Sequence, residues 1–314
     1  MRFFNTIRLI SLQRMRLLLL TLLLPGQLFL PCSALSSGLL IVYPKVKAPY
    51  SKIYEDIIKG INENYPGLIQ ELQLPSNDEN NVLTEQIKRY KPDVVMTLGK
   101  RSLKKMRQLT SPIPIVAGAI TKTEEAVSGV SMSLDAEVLL SHLLEMAPFV
   151  KRVYVVSDLQ RQAQLEGAEA YLSERGKVLK IEEVESIQEA ADRYLKIIHQ
   201  ASAEDAIWLT RGASLNDPSI LMLVLEAAWK KKIVVFSSNP SHVKRGALFS
   251  LYPDNEKMGR ALARIAQQQE LEPIPDNAGL TPLRSVHLIV NKRTSKHLGI
   301  MPNNISGLTI HRLL

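Results

Sequence analysis

The side chains best placed to do chemistry lie where apolar runs end. Tyr43 closes the run Leu39-Leu40-Ile41-Val42, and Gly99, Lys100 and Ser102 follow Val94-Val95-Met96-Thr97-Leu98. Ser157 and Asp158 follow Val153 to Val156, Arg211 follows Ala206 to Thr210, and Ser238 and Asn239 follow Ile233 to Ser237. These types suit recognition of a small polar solute more than bond-making. A glycine lets backbone approach a ligand closely, and an arginine pairs a carboxylate or phosphate through two parallel bonds. A tyrosine such as Tyr43 or Tyr50 stacks on a flat ligand. The free N–H groups of a helix beginning near Ser102 favour an anionic or strongly accepting group.

The constellations of catalysis are missing from the sequence. It has no nucleophile elbow, no phosphate loop of the GxxxxGK[ST] kind and no HExxH. The six histidines (His142, His199, His242, His287, His297 and His311) are scattered, with no pair at metal-ligand spacing. Gly99 lacks the partner glycines of a dinucleotide fingerprint, and Glu124-Glu125 and Glu182-Glu183 read as solvated faces. No metal, no cofactor and no enzymatic activity are expected.

The elements that must position these residues alternate strand and helix without hairpin turns, which predicts parallel sheets. The segment Asp93 to Leu103 reads as a buried strand, a turn at Gly99 and a helix beginning near Ser102. The pattern returns 112 residues later, where Asp205, Ser214 and Leu215 match Asp93, Ser102 and Leu103. The repeat predicts an α/β fold of two doubly wound parallel-sheet lobes joined by a hinge. Residues 35–128 and 252–284 are assigned to lobe 1, and residues 129–251 and 285–314 to lobe 2. Gly129 to Met132 is expected to cross between lobes, and Gly246 to Leu251 to return. In open parallel sheets ligands bind at the carboxyl ends of strands, so facing rims would line one cleft.

The 314 residues are 46% hydrophobic and 5% aromatic, enough for two such lobes. The net charge of +8 falls to +4 without residues 1–34, which hold four arginines and no acid. The remaining basic residues are dispersed, which argues against a nucleic-acid partner. Residues 1–34 read as a secretory signal: Arg14 and Arg16 precede Leu17 to Leu24, Pro25-Gly26 breaks the run, and Cys32-Ser33-Ala34 resembles a cleavage site. Either Met1 or Met15 could start it. Pro31 is a poor neighbour for lipidation at Cys32, the single cysteine. An exported, periplasmic protein with no disulfide is expected.

Taken together the segments resemble the extracytoplasmic substrate-binding proteins of ABC transporters, of the tryptophan/tyrosine-type group, on the type I periplasmic-binding fold. The resemblance runs in order through Lys91 to Gly99, Ile113 to Val116, Gly129-Val130, Ala147 to Val156, Asp205 to Leu209, Gly246 to Ser250, Gly259 to Ala263 and Ile289 to Pro302. It implies a monomer that captures a small molecule between its lobes and presents it to a membrane permease. Two other readings share the fold: a periplasmic subunit reporting ligand to a membrane receptor, and a periplasmic enzyme.

The sequence departs from the group at the ligand. Gly99-Lys100-Arg101-Ser102 stands where relatives binding aromatic amino acids carry a small polar turn, and Thr121-Lys122-Thr123 stands in place of an Asp-Pro. Ser157-Asp158 replaces an Asn-Pro-like turn, and Arg211 replaces an acidic residue. These changes point to a more acidic ligand, or to a site that has lost transport duty.

Overall fold

The computed structural model describes residues 38–75, 81–109, 111–121, 126–157, 162–210, 217–272, 279–301 and 308–314. The expected signal, Cys32, Asp158, Arg211 and Ser214 lie outside the described residues.

The first sheet has the order β2-β1-β3-β4-β5-β11. Its strands are β1 (Gly38–Pro44), β2 (Leu68–Leu74), β3 (Val94–Leu98), β4 (Ile115–Ile120), β5 (Ser128–Leu134) and β11 (Leu280–Leu283). The second has the order β7-β6-β8-β9-β10-β12-β13. Its strands are β6 (Arg152–Ser157), β7 (Val178–Glu183), β8 (Asp205–Leu209), β9 (Val234–Ser237), β10 (Phe249–Pro253), β12 (Val286–Val290) and β13 (Ile310–Leu313). Five strands of each lobe thus follow one order, and all pairings within each five are parallel. The antiparallel exception is β12 on β10.

The central strands are apolar on both sides because helices cover both faces. On the first sheet, Leu39, Ile41, Val94 and Met96 pack with α1 (Tyr50–Asn62) and α9 (Asn255–Leu271). Leu40, Val42 and Val95 face the other way, onto α2 (Asn81–Tyr90) and α3 (Lys100–Arg107). On the second sheet, Val153, Val155 and Trp208 meet α4 (Ala136–Met146) and α5 (Gln162–Ser173). Tyr154, Val156 and Ile207 meet α6 (Ile187–Gln200) and α7 (Pro218–Lys231). Each fully buried Leu, Ile or Val contributes about 1.5–3 kcal/mol.

The matching aspartates of the repeat do matching work at the amino ends of the sheets. Asp93, just before β3, accepts the Gly38 N–H of β1 through Oδ2 at 2.7 Å. Asp205, at the start of β8, holds Arg152, the first residue of β6, through two bonds of 2.7 and 2.8 Å. Each carboxylate therefore fixes the start of the first strand of its lobe, and neither belongs to a binding rim.

Four expectations are corrected by the pairing. Gly129 to Met132 belongs to β5, hydrogen-bonded in the first sheet, so the chain crosses after Leu134. Residues 249–253 pair in the second sheet, and the return to the first lobe follows Pro253 through α9. The helix after Gly99 starts at Lys100, with Gly99 as its N-cap. The short strands β11 and β13 were not expected. β11 contains Pro282 and shifts register there, and β13 is an edge strand exposed at three of its four residues, so neither carries the apolar run that marks a strand.

Candidate functional site

With a 2-1-3-4-5 order, each sheet reverses direction between its first and third strands. A crevice opens there at the carboxyl ends. In the first lobe that point falls between Tyr43-Pro44 and Gly99. In the second it falls between Ser157 and Thr210.

In the first lobe the two rim segments meet. Gly99 has φ +88°, a conformation L side chains rarely adopt, so the turn from β3 into α3 depends on glycine. A Cβ added there would lie 3.0 Å from the Tyr54 hydroxyl and 3.7 Å from Pro44 Cδ. Tyr54 stands on α1, and its ring stacks on Tyr43 with centroids 6.1 Å apart and planes inclined 23°. No side chain caps α3 and no acid lies in its first turn, so its own first turn adds no charge against the positive end of the helix dipole. Lys100 is exposed beside it. Thr97 and Ser102 are wholly buried, and neither hydroxyl has a partner among the described residues.

Tyr43 also borders a cavity of about 580 Å³ between α1 and the edge strand β2. Tyr54, Glu55, Lys59, Glu71 and Gln73 are among its walls. The Tyr43 hydroxyl donates to Glu71 Oε2 at 3.0 Å. Partial burial, then the Glu71 carboxylate, push its pKa up to about 12, so the phenol keeps its proton at neutral pH.

The second rim is more committed to its own structure. Ser157 is buried at the end of β6. Thr210 is buried and donates to Val156 O at 3.4 Å. The indole N–H of Trp208 donates to Ser238 Oγ at 3.0 Å. Trp208 is also the first of three stacked rings, with Phe236 at 6.1 Å and Phe249 at 5.5 Å beyond it. Ser237 Oγ donates to Leu209 O and lies 2.9 Å from His242 Nδ1. That leaves the serine oxygen to accept from Nδ1–H, and His242 Nε2 to accept from Asn239 Nδ2 at 3.3 Å. Asn239 Oδ1 accepts the Ser241 N–H at 3.0 Å at the start of α8 (Ser241–Arg245). Asn239 and Ser238 therefore hold the rim together, a role the residue types alone did not reveal.

The rims are joined by the chain crossings at residues 134–135, 253–254 and 284–285. Asp254 caps α9, and its N–H donates to Ser285 O at 3.1 Å. His287 lies beside it, with Nε2 3.7 Å from Asp254 Oδ2 and its ring 4.2 Å from His311. Burial pushes His287 below the usual imidazole pKa; Asp254 opposes this, while His311 and Lys257 add to it. These residues belong to the crossing and were not marked by any motif.

Among the described residues no group of three or more His, Cys, Asp or Glu could hold a metal. No helix among them is long and apolar enough to cross a membrane.

A profile of the family described as "ABC transporter substrate binding protein" matches residues 52–308, most of the chain. The chain belongs to this family. No curated protein sequence matches the binding protein, but solved structures share its fold. One is the ligand-free, open form of a substrate-binding protein with adhesive properties from Clostridium difficile, with a TM-score of 0.61 at 16% identity over 88% of this chain and 100% of that one. Another is an ABC domain in complex with L-Trp from Streptococcus pneumonia, with 0.51 at 18% identity over 88% and 100%. A third is a conserved domain protein from Vibrio cholerae, with 0.51 at 17% identity over 89% and 100%. The binding protein has the type I periplasmic-binding fold, with two sheets dominated by parallel pairing. Its family, by its description, is one of substrate-binding proteins and is not an enzyme class.

Proposed function

We propose that this binding protein works in the periplasm as an exported monomer, capturing a small solute between its lobes and delivering it to an ABC permease. The observation that carries the reading is the first-lobe rim. There Gly99 opens the start of α3 next to Tyr43 and Tyr54, at the strand-order reversal where α/β sheets hold ligands.

An acidic group of the solute meets the free N–H groups of α3 and the Lys100 ammonium. A flat part lies against Tyr43. Ser157, Asp158, Arg211 and the edge formed by Ser238 and Asn239 close from the second lobe. The crossing strands supply the hinge, and the solute favours the closed state by the contacts it makes only there. That closed form is what a permease would read.

The test is small-angle X-ray scattering of the purified protein, with each solute that raises its melting temperature. The reading expects the radius of gyration to fall on solute addition. A binding solute that leaves the scattering curve unchanged contradicts capture by closure.

A further inference from the structure

Among the described residues, the cavity between α1 and β2 is lined by residues of the first lobe, from Tyr43 to Gln73. It therefore does not depend on closure of the lobes, and beyond the Tyr43 and Tyr54 rings it shares with the rim at Gly99 it adds Glu55 and Glu71. Two tyrosine rings, Tyr43 and Tyr54, form one aromatic wall. Among the described residues, no Arg or Lys stands over either ring.

The charges around that wall do not cancel. Lys59 is bonded to Glu256 at 2.7 Å, and Glu63 to Arg260 at 3.0 Å. Neither Glu55 nor Glu71 forms an ion pair among the described residues, although Lys52, paired with Asp56, feels the charge of Glu55; Glu71 accepts one bond, from Tyr43, on Oε2. Two carboxylates outside any ion pair among the described residues therefore stand with two tyrosine rings in the wall of one cavity. Aromatic faces attract a cation within about 6 Å of the ring centroid, and a carboxylate alongside adds a charge partner. About 580 Å³ holds a ligand of the size of a small metabolite.

We infer that this first-lobe cavity is a second binding site, selective for a small organic ammonium ion. Tyr43 and Tyr54 take its alkylated or methylene face, while Glu71 and Glu55 balance its charge. The site shares Tyr43 and Tyr54 with the rim at Gly99, but its remaining walls lie between α1 and β2, so its occupancy does not require closure of the lobes.

Isothermal titration of the purified protein with choline, and with its neutral isostere 3,3-dimethylbutan-1-ol, tests the inference. Choline should bind with one-to-one stoichiometry and about tenfold more tightly than the neutral compound. The double variant Glu55→Gln/Glu71→Gln and the single variant Tyr54→Leu should each weaken choline about tenfold. A far-ultraviolet circular dichroism melt of each variant checks that it is folded. No choline binding to the wild type overturns the inference. So does equal affinity for the two compounds, or choline binding that folded variants leave unchanged. Failure here would leave capture between the lobes untouched, because that reading is scored by scattering with a different solute.

Discussion

Gly60 and Gly259 hold helices α1 and α9 at backbone contact. A Cβ on Gly60 would sit 2.0 Å from the carbonyl oxygen of Glu256, and one on Gly259 would sit 2.0 Å from that of Ile57. No side chain fits between the two helices at that crossing. The pair anchors the segment that returns from the second lobe, and Lys59–Glu256 and Arg260–Glu63 flank it.

Gly259→Ala should therefore cost about 2–3 kcal/mol, because the backbones must separate. Gly60→Ala should cost a similar amount. Urea unfolding with an unchanged slope checks this, and an undiminished midpoint would contradict the close contact.

Ser238→Ala should destabilise the protein even without ligand. It leaves the buried Trp208 indole N–H unpaired, at a cost of about 1–3 kcal/mol. Fluorescence of the two tryptophans, Trp208 and Trp229, followed through urea unfolding measures it. Ser238→Thr, which keeps a hydroxyl, should recover part of the loss.

The crossing between the two sheets gives a pH dependence with a defined sign. His287 has a lower pKa in the folded protein than in the unfolded chain. Its neutral form thus stabilises the fold at neutral pH, and that contribution is lost as pH falls below about 6.5, where the unfolded chain takes up the proton first. His311, packed against it, accepts the Leu288 N–H through Nδ1 at 3.0 Å. His287→Asn should flatten the fall of melting temperature between about pH 6.5 and 5. An identical slope in wild type and variant would remove His287 from the account.

Asp205 behaves in the same direction at lower pH. Burial raises its pKa, but the bonds from Arg152 and Ser202 outweigh burial and hold the carboxyl below the usual range. The stability this adds is present above about pH 4 and fades as pH falls through the folded pKa. Asp205→Asn should be less stable than wild type at pH 7 and lose less on acidification. Parallel acid titrations of the two proteins check the sign.

How much of this was legible in the sequence depends on range. The run Val94 to Leu98 and its copy Ala206 to Leu209 marked the central strands, because strands buried on both faces are apolar throughout. The repeat at Asp93 and Asp205 announced twin lobes, and the carboxylates turn out to clamp equivalent strand starts. The crossings were misplaced because β5 and β10 end in mixed sequence, where pairing and not periodicity fixes the boundary.

Tyr43 and Gly99 were both visible as rim residues, but Tyr54 between them was not. It lies on an amphipathic helix, where a tyrosine reads as packing. The cavity escaped for the same reason: Glu71 on an edge strand looks like a solvated face until Tyr43 and α1 are placed over it. Ser238 and Asn239 read equally well as ligand contacts and as turn residues, and only their bonds to Trp208, Ser241 and His242 separate the two roles.

The most direct measurement is a thermal-shift screen of free amino acids, dicarboxylates, sugars and nucleosides against wild type and Gly99→Ala, each scored against its own ligand-free melting temperature. A ligand that binds the folded state raises that temperature by mass action. The account predicts a clear shift with at least one acidic solute, largely lost in Gly99→Ala. A wild type that answers to none of these solutes, or a shift that Gly99→Ala keeps in full, would contradict it.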